Sequence, residues 1–139
     1  DQARKVVSVI GDSTFVHSGI TGLVDMVYNR PPTGHVVLIL DNSTTAMTGM
    51  QEHPGTGRTL DHQPTAKLDF EALAKSIGLD EVNVVDAQKD NAGFRALLEK
   101  ALAGDKLSLI IARKPCILAA RRIRAYEEQA RANAAGAGA

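Results

Sequence analysis

The sequence predicts an α/β domain built on a doubly wound, mostly parallel sheet with helices on both faces. Two observations carry this. Strand-like apolar runs alternate with segments of helical periodicity along the chain. The runs are almost unbroken in β-branched and aliphatic residues, as in strands buried on both faces, rather than alternating between apolar and polar. With 139 residues, 44% of them hydrophobic, the chain has material for one domain with its own core.

The elements follow in order. Lys5–Ile10 (KVVSVI), closed by Gly11, reads as the first strand. Ser18–Tyr28 sets Ile20, Leu23, Val24 and Val27 at helical spacing, and the following RPPTG stops that helix. Val36–Leu40 (VVLIL) is a second buried strand. A long polar stretch then runs through DNSTTAMTGMQEHPGTG. Connections in compact domains are usually about 4–6 residues, and much longer ones tend to be functional or disordered. Asp69 is placed to cap a helix over Phe70–Ile77, with Gly78 as its stop. Val82–Val85 is a third strand. Asn91 is expected to cap a helix reaching about Ala103, ended by Gly104, and Leu107–Ala112 is the fourth strand. The Ala- and Arg-rich end, Leu118–Ala139, is expected to begin as a helix and fray at NAAGAGA. No internal repeat is present.

Composition narrows the function. Lys plus Arg and Asp plus Glu number 16 each, which argues against duplex nucleic acid or an anionic membrane as a partner. The chain has no Trp and few other aromatics, so a base-stacking platform is not expected. A single cysteine, Cys116, excludes an internal disulfide framework and any cysteine-based zinc or iron–sulfur site within the chain. No segment has the pattern of a signal peptide or a membrane span, so the expectation is a cytoplasmic protein.

In open α/β sheets, ligands sit beyond the carboxyl ends of the strands. Two places qualify: GDST after the first strand and DNSTTAMTG after the second. Gly11 permits a tight turn, and amides at a helix start favour an anion. Asp12 adds a carboxylate, which would repel phosphate unless a cation lay between them. Mg²⁺ or Ca²⁺, with their preference for oxygen donors, suits that position. Asn42 and the main-chain carbonyls of its turn offer further oxygens. Each motif alone is an ordinary turn. Together, at the ends of neighbouring strands, they favour a metal–phosphate site.

These residues also carry a resemblance. Gly11-Asp12-Ser13, followed one strand later by Asp41-Asn42, resembles the thiamine diphosphate-binding signature, in which Gly-Asp-Gly opens the motif and Asn closes it. GDSTFVHSGITGLVDMVYN and ILDNSTTAMTGMQEHPGTG are similar to the C-terminal thiamine diphosphate domain of the indolepyruvate ferredoxin oxidoreductase alpha-subunit family, and VVDAQ and IIARKPCIL fit it too. The likeness runs from about Lys5 to Leu118. It implies that Asp12, the Asn42 side chain and the Thr44 carbonyl bind Mg²⁺. It also implies that Gly11, Ser13, Thr14, Met47 and Thr48 lie against the diphosphate. In that family a 2-oxo acid, here indolepyruvate or a related aryl pyruvate, adds to the thiazolium carbon and loses CO₂. Electrons leave singly through iron–sulfur clusters to ferredoxin, and coenzyme A takes the acyl group.

The pattern departs from the family in places. Ser13 stands where the wider superfamily has Gly, though Ser fits this subfamily. The family has more sequence before the first strand, a separate pyrimidine-binding domain carrying the activating acidic residue, and often a cysteine-rich ferredoxin-like segment. The resemblance therefore implies a partial cofactor domain over residues 1–118, incomplete at its N-terminus, followed by a C-terminal helix and tail over 119–139. A fragment or one part of a split enzyme is expected, inactive alone and working as a homodimer or heteromer. The alternatives are a non-catalytic α/β module binding a nucleotide or partner, and part of a non-oxidative thiamine-dependent decarboxylase.

Among the remaining residues, His17 lies near the expected helix start and is a candidate to touch phosphate. His53 is the candidate catalytic residue on the substrate side, weighed against a solvent-facing loop histidine. Gln51 would bond substrate or close the loop. Met47 and Met50 would pack against the cofactor rings or fill core. Cys116 is expected as a small buried residue. RKPC and the group Arg121, Arg122 and Arg124 read as a solvated basic face, with coenzyme A or ferredoxin as the alternative contact. His35 and His62 carry no assignment.

Overall fold

A computed structural model of the chain describes residues 4–136. Strand β1 (Val6–Gly11) runs directly into a short helix α1 (Asp12–Thr14), which continues through a π-helical stretch (Phe15–Gly19) into α2 (Ile20–Tyr28). Then come β2 (His35–Asp41), 3₁₀ turns at Ala46–Thr48 and Pro54–Thr56, and α3 (Phe70–Ser76). The order closes with β3 (Val82–Val85), α4 (Asn91–Ala103), β4 (Leu107–Arg113) and α5 (Ala120–Gly136). The four strands form one parallel sheet in the order β1-β2-β4-β3.

Burial explains the unbroken apolar runs of β2 and β4. The first run, expected as a buried strand, is instead an edge strand, β1, with Val6, Val7 and Val9 exposed. Alternate residues of β2 and β4 feed two cores, one on each face of the sheet. Val37, Ile39, Leu109 and Ile111 meet Phe15 and Leu23 of the first helical run and Phe70 and Ala74 of α3. Val36, Leu38 and Ile110 meet Phe94, Leu97 and Leu98 of α4 on the other face. A strand serving both cores has no polar face to show.

Some sequence expectations are corrected. The first helix begins at Asp12, not near Ser18. Phe15 is 1% exposed and packs edge-on against Phe70, so packing draws the residues before Ser18 into the helical run. Gly19 allows the close approach: a Cβ there would lie 2.7 Å from Ile10 Cδ1. Phe15, Gly19 and Leu23, four residues apart on one helix face, are the signal that would have found this start. The cap of α4 is Asp90, whose carboxylate accepts the Gly93 amide at 2.8 Å, rather than Asn91. Asp69 does cap α3, accepting from Ala72 N at 2.9 Å, and Gly78 closes that helix at φ +93°. In the Ala-rich end α5 extends to Gly136, while Ala137–Ala139 of the tail expected to fray lie outside the described residues. Among the described residues no helix is long and apolar enough to cross a membrane.

Candidate functional site

Parallel pairing of β1 with β2, with Gly11 opposite Leu40, brings Asp12 and Asp41 out at the same end of the sheet. Because the helix starts at Asp12, its first-turn amides also face that end, and the N-cap Gly11 has no side chain to cap them. Asp12 is 3% exposed. Its Oδ1 accepts the Ser13 amide at 2.9 Å, and its Oδ2 accepts the Ser43 amide at 2.9 Å. A second link joins the two strand ends: the Thr45 hydroxyl donates to Ser13 Oγ at 2.9 Å. Gly11, Asp12 and Ser13 are thus brought together with Asn42, Ser43, Thr44 and Thr45.

The turn after β2 has the local chemistry of its sequence. Asn42 Oδ1 accepts the Thr44 amide at 3.2 Å, an Asx turn. Ser43 takes φ +60°. Thr44 is buried, and its carbonyl accepts no hydrogen bond among the described residues. The long loop is folded rather than open. Thr45 and Gln51 form an antiparallel bridge, as do Arg58 and Pro64.

His53 is turned inward, not toward solvent. Its side chain is 7% exposed. Nδ1 accepts the Gly55 amide at 3.2 Å, so the neutral ring carries its proton on Nε2. Nε2 lies 3.4 Å from Asp12 Oδ2 without forming a hydrogen bond, and so is a buried polar atom with no partner. Among the described residues, no Lys or Arg lies within ion-pairing distance of Asp12; His53 is its one such neighbour. A buried carboxylate with so little compensation is costly, and a cation at that point relieves the cost. These residues fit a divalent ion of the hard, oxygen-preferring kind, with one carboxylate and neutral carbonyl oxygens as donors. Among the described residues no cluster of three His, Cys, Asp or Glu side chains has metal-holding geometry. A cation here would therefore need phosphate or water oxygens to complete its shell.

The other candidates lie further out. Thr14 is exposed in the first helical turn, and His17 is exposed in the π-helical stretch beyond it, away from the helix start. Met47 is fully exposed. The Thr48 hydroxyl donates to Gln51 Oε1 at 2.8 Å, so Gln51 closes the loop. Cys116 is half-buried rather than buried, and its amide donates to the Asn42 carbonyl at 2.9 Å.

Several partners of the site have no signal in the local sequence. Arg113 Nε donates to Asp41 Oδ2 at 2.7 Å, and its two terminal nitrogens donate to Glu71 at 3.3 and 2.8 Å. The bonds to Glu71 and Asp41, with their charges, raise the Arg113 pKa against the opposing effect of burial. This corrects the solvated-face reading of RKPC at Arg113. Helix α5 folds over the second half of the loop. Arg58, 5% exposed, lies 4.2 Å from the centre of the Tyr126 ring and donates to the Tyr126 carbonyl. His62 stacks on Tyr126 and pairs with Glu52 at 3.0 Å. Arg122 donates to the Met50 carbonyl at 2.8 Å.

Comparison with known proteins shows the family. The family model described as "Thiamine pyrophosphate enzyme, C-terminal TPP binding domain" matches residues 1–112. The chain is 39% identical over 124 residues to the indolepyruvate oxidoreductase subunit IorA of Archaeoglobus fulgidus, covering 89% of this chain and 19% of that protein. It is 40% identical over 113 residues to the subunit of the same name from Thermococcus kodakarensis, covering 81% of this chain and 17% of the relative. For Methanothermobacter marburgensis the identity is 34% over 122 residues, covering 88% and 19%. The chain spans less than a fifth of the length of these relatives.

Proposed function

Because the chain belongs to the family of thiamine pyrophosphate enzyme C-terminal TPP-binding domains, we propose that it holds the diphosphate and Mg²⁺ of thiamine diphosphate within a 2-oxo-acid:ferredoxin oxidoreductase. The observation that carries the metal part is Asp12: a carboxylate buried at a strand end, tied to the neighbouring strand's exit, with no Lys or Arg within ion-pairing distance among the described residues.

In this reading Asp12, Asn42 Oδ1 and the Thr44 carbonyl hold Mg²⁺. Gly11 lets the backbone come close, and the Ser13 and Thr14 end of the helix faces the diphosphate. Met47 and Thr48 lie along the loop that wraps it. His53, whose Nε2 lies 3.4 Å from Asp12 Oδ2 without a hydrogen bond, lies toward the substrate side. Thiamine diphosphate, when bound, supplies the thiazolium carbon and electron sink needed to decarboxylate a 2-oxo acid. The protein's share is to anchor, orient and exclude water.

The relatives' names support indolepyruvate, or a related aryl pyruvate, as the substrate. Acyl-CoA as product, ferredoxin as electron acceptor and iron–sulfur clusters elsewhere in the enzyme belong to the same proposal. So do a cytoplasmic setting, a pyrimidine-binding domain or subunit supplying the rest of the cofactor site, and assembly as a homodimer or heteromer. Residues 1–118 are proposed as the cofactor unit and 119–139 as an appended helix and tail.

The test is a titration of thiamine diphosphate with and without Mg²⁺ into the chain assembled with its partner, for wild type and Asp12→Ala. The reading expects Mg²⁺-dependent binding that Asp12→Ala abolishes. No Mg²⁺-dependent binding by the wild type would sink it, and binding that survives Asp12→Ala would remove the metal assignment.

A further inference from the structure

We infer that Arg113 is a positioning residue that divides the labour between two neighbouring carboxylates, neutralising Asp41 so that Asp12 alone is left to hold the cation. The inference rests on the cofactor reading above and concerns residues that reading does not use.

The geometry starts at one amide. The Ser43 N–H lies 2.9 Å from Asp12 Oδ2 and 3.2 Å from Asp41 Oδ1. Two buried carboxylates therefore share one donor. Two such like charges side by side repel one another unless a counter-charge lies against one of them. Asp41 is compensated: Arg113 Nε meets its other oxygen at 2.7 Å. Among the described residues Asp12 has no comparable partner, only His53 Nε2 at 3.4 Å. The pair thus consists of a carboxylate already neutralised, fit for structure, and one left with charge to offer. Asp41 sits at a strand end where an acidic residue also suits a metal, and the Arg113 bond explains why it is not the ligand.

The same arginine anchors the assembly. Its fork reaches Glu71 on α3 with two further bonds. Main-chain bonds reinforce it, from Lys114 N to the Asp41 carbonyl at 2.9 Å and from Cys116 N to the Asn42 carbonyl at 2.9 Å. The exit of β4 therefore braces the exit of β2. Ser43 is held in a left-handed conformation that a serine seldom adopts, and the two carboxylates on its amide help keep it there.

The test uses the full chain with its partner subunits and compares wild type, Arg113→Gln, and the double variant Arg113→Gln with Asp41→Asn. Two quantities are read: the Mg²⁺-dependent affinity for thiamine diphosphate, and the hydrogen-exchange rate of the Ser43 amide. In Arg113→Gln the unpaired Asp41 charge repels the diphosphate and competes with Asp12 for the Ser43 amide and the cation, which should weaken affinity by about tenfold or more and speed exchange at Ser43. Removing the Asp41 charge as well should restore affinity to within about threefold of wild type, a rescue that a merely structural arginine would not allow. Wild-type affinity in Arg113→Gln, or a double variant no better than the single one, overturns the inference. If Arg113→Gln does not fold, the double variant is still decisive: it folds and binds, or the inference is wrong. If the wild type shows no Mg²⁺-dependent binding, the cofactor reading fails, and unchanged Ser43 exchange in Arg113→Gln would separately remove the brace.

Discussion

Asp12 Oδ2 accepts the main-chain amide of Ser43 at 2.9 Å, joining the exits of two adjacent strands through a buried carboxylate. The bond fixes where the second loop begins relative to the first helix. It also makes Asp12 serve two purposes, one structural and one electrostatic, and substitutions can separate them.

Asp12→Asn keeps an acceptor for the loop amides but removes the charge. It should retain most of the fold's stability while losing Mg²⁺-dependent cofactor binding. Asp12→Ala also strands the Ser13 amide and leaves Ser43 N with only its longer bond to Asp41 Oδ1 at 3.2 Å. An amide left unsatisfied in a buried place costs about 1–3 kcal/mol. Thermal melts of the two variants, measured without cofactor, should therefore differ, with the alanine lower. Equal melting temperatures would count against the two bonds.

Gly55→Ala should disturb His53. A Cβ at Gly55 would lie 2.8 Å from Phe70 Cζ and 3.0 Å from His53 Cε1. Both rings are packed, so the cost is about 1–3 kcal/mol, as for other overpacked sites. Denaturant unfolding reads the loss. The histidine's ring proton resonances, followed by NMR, should shift along with it.

Tyr126→Ala should loosen the second half of the loop without unfolding the sheet. The ring stacks on His62, centroids 5.9 Å apart, and the Arg58 guanidinium lies 4.2 Å from its centre. A contact of this kind contributes about 0.5–2 kcal/mol. Limited proteolysis should cut faster around Arg58 to His62 in the variant, while the core strands stay protected.

Asp69→Ala should lower stability by about 1 kcal/mol, the usual cost of losing a helix cap. The cap also carries a pH signature. The bond from the Ala72 amide lowers the Asp69 pKa below its ordinary 3.8. A carboxylate with a depressed folded value stabilises the fold above its unfolded value, and that contribution is lost as pH falls through the folded value. Asp86, lowered chiefly by the Lys89 amide, acts in the same direction. Melting temperature should thus fall below pH 3.8 in the wild type, and less steeply in Asp69→Ala.

Much of this was legible before the fold was known, for local reasons. Four apolar runs marked four strands. For β2 and β4 this is because a strand serving two cores has no polar face, whereas β1 and β3 are edge strands with Val6, Val7, Val9 and Val84 exposed. Asp69 and Gly78 marked both ends of α3 because capping depends on a few adjacent residues. Gly11-Asp12-Ser13 and Asp41-Asn42 pointed to one site because parallel strands deliver their carboxyl ends to one edge. The helix start was less legible, since burial of Phe15 against Phe70 decides it and those residues are distant in sequence.

The sequence by itself determined the fold class, the placement of the strands and the residues at their carboxyl ends, because hydrophobic period and turn chemistry act over a few residues. Only the tertiary structure decided how charge is shared at those ends. Arg113 meets Asp41 and Glu71 across separations of 72 and 42 residues, and His53 reaches Asp12 from another segment. Arg122 meets the Met50 carbonyl across 72 residues. Such pairings leave no local pattern: one ion pair contributes little to the choice of fold, and its partners become neighbours only when the sheet brings their segments together.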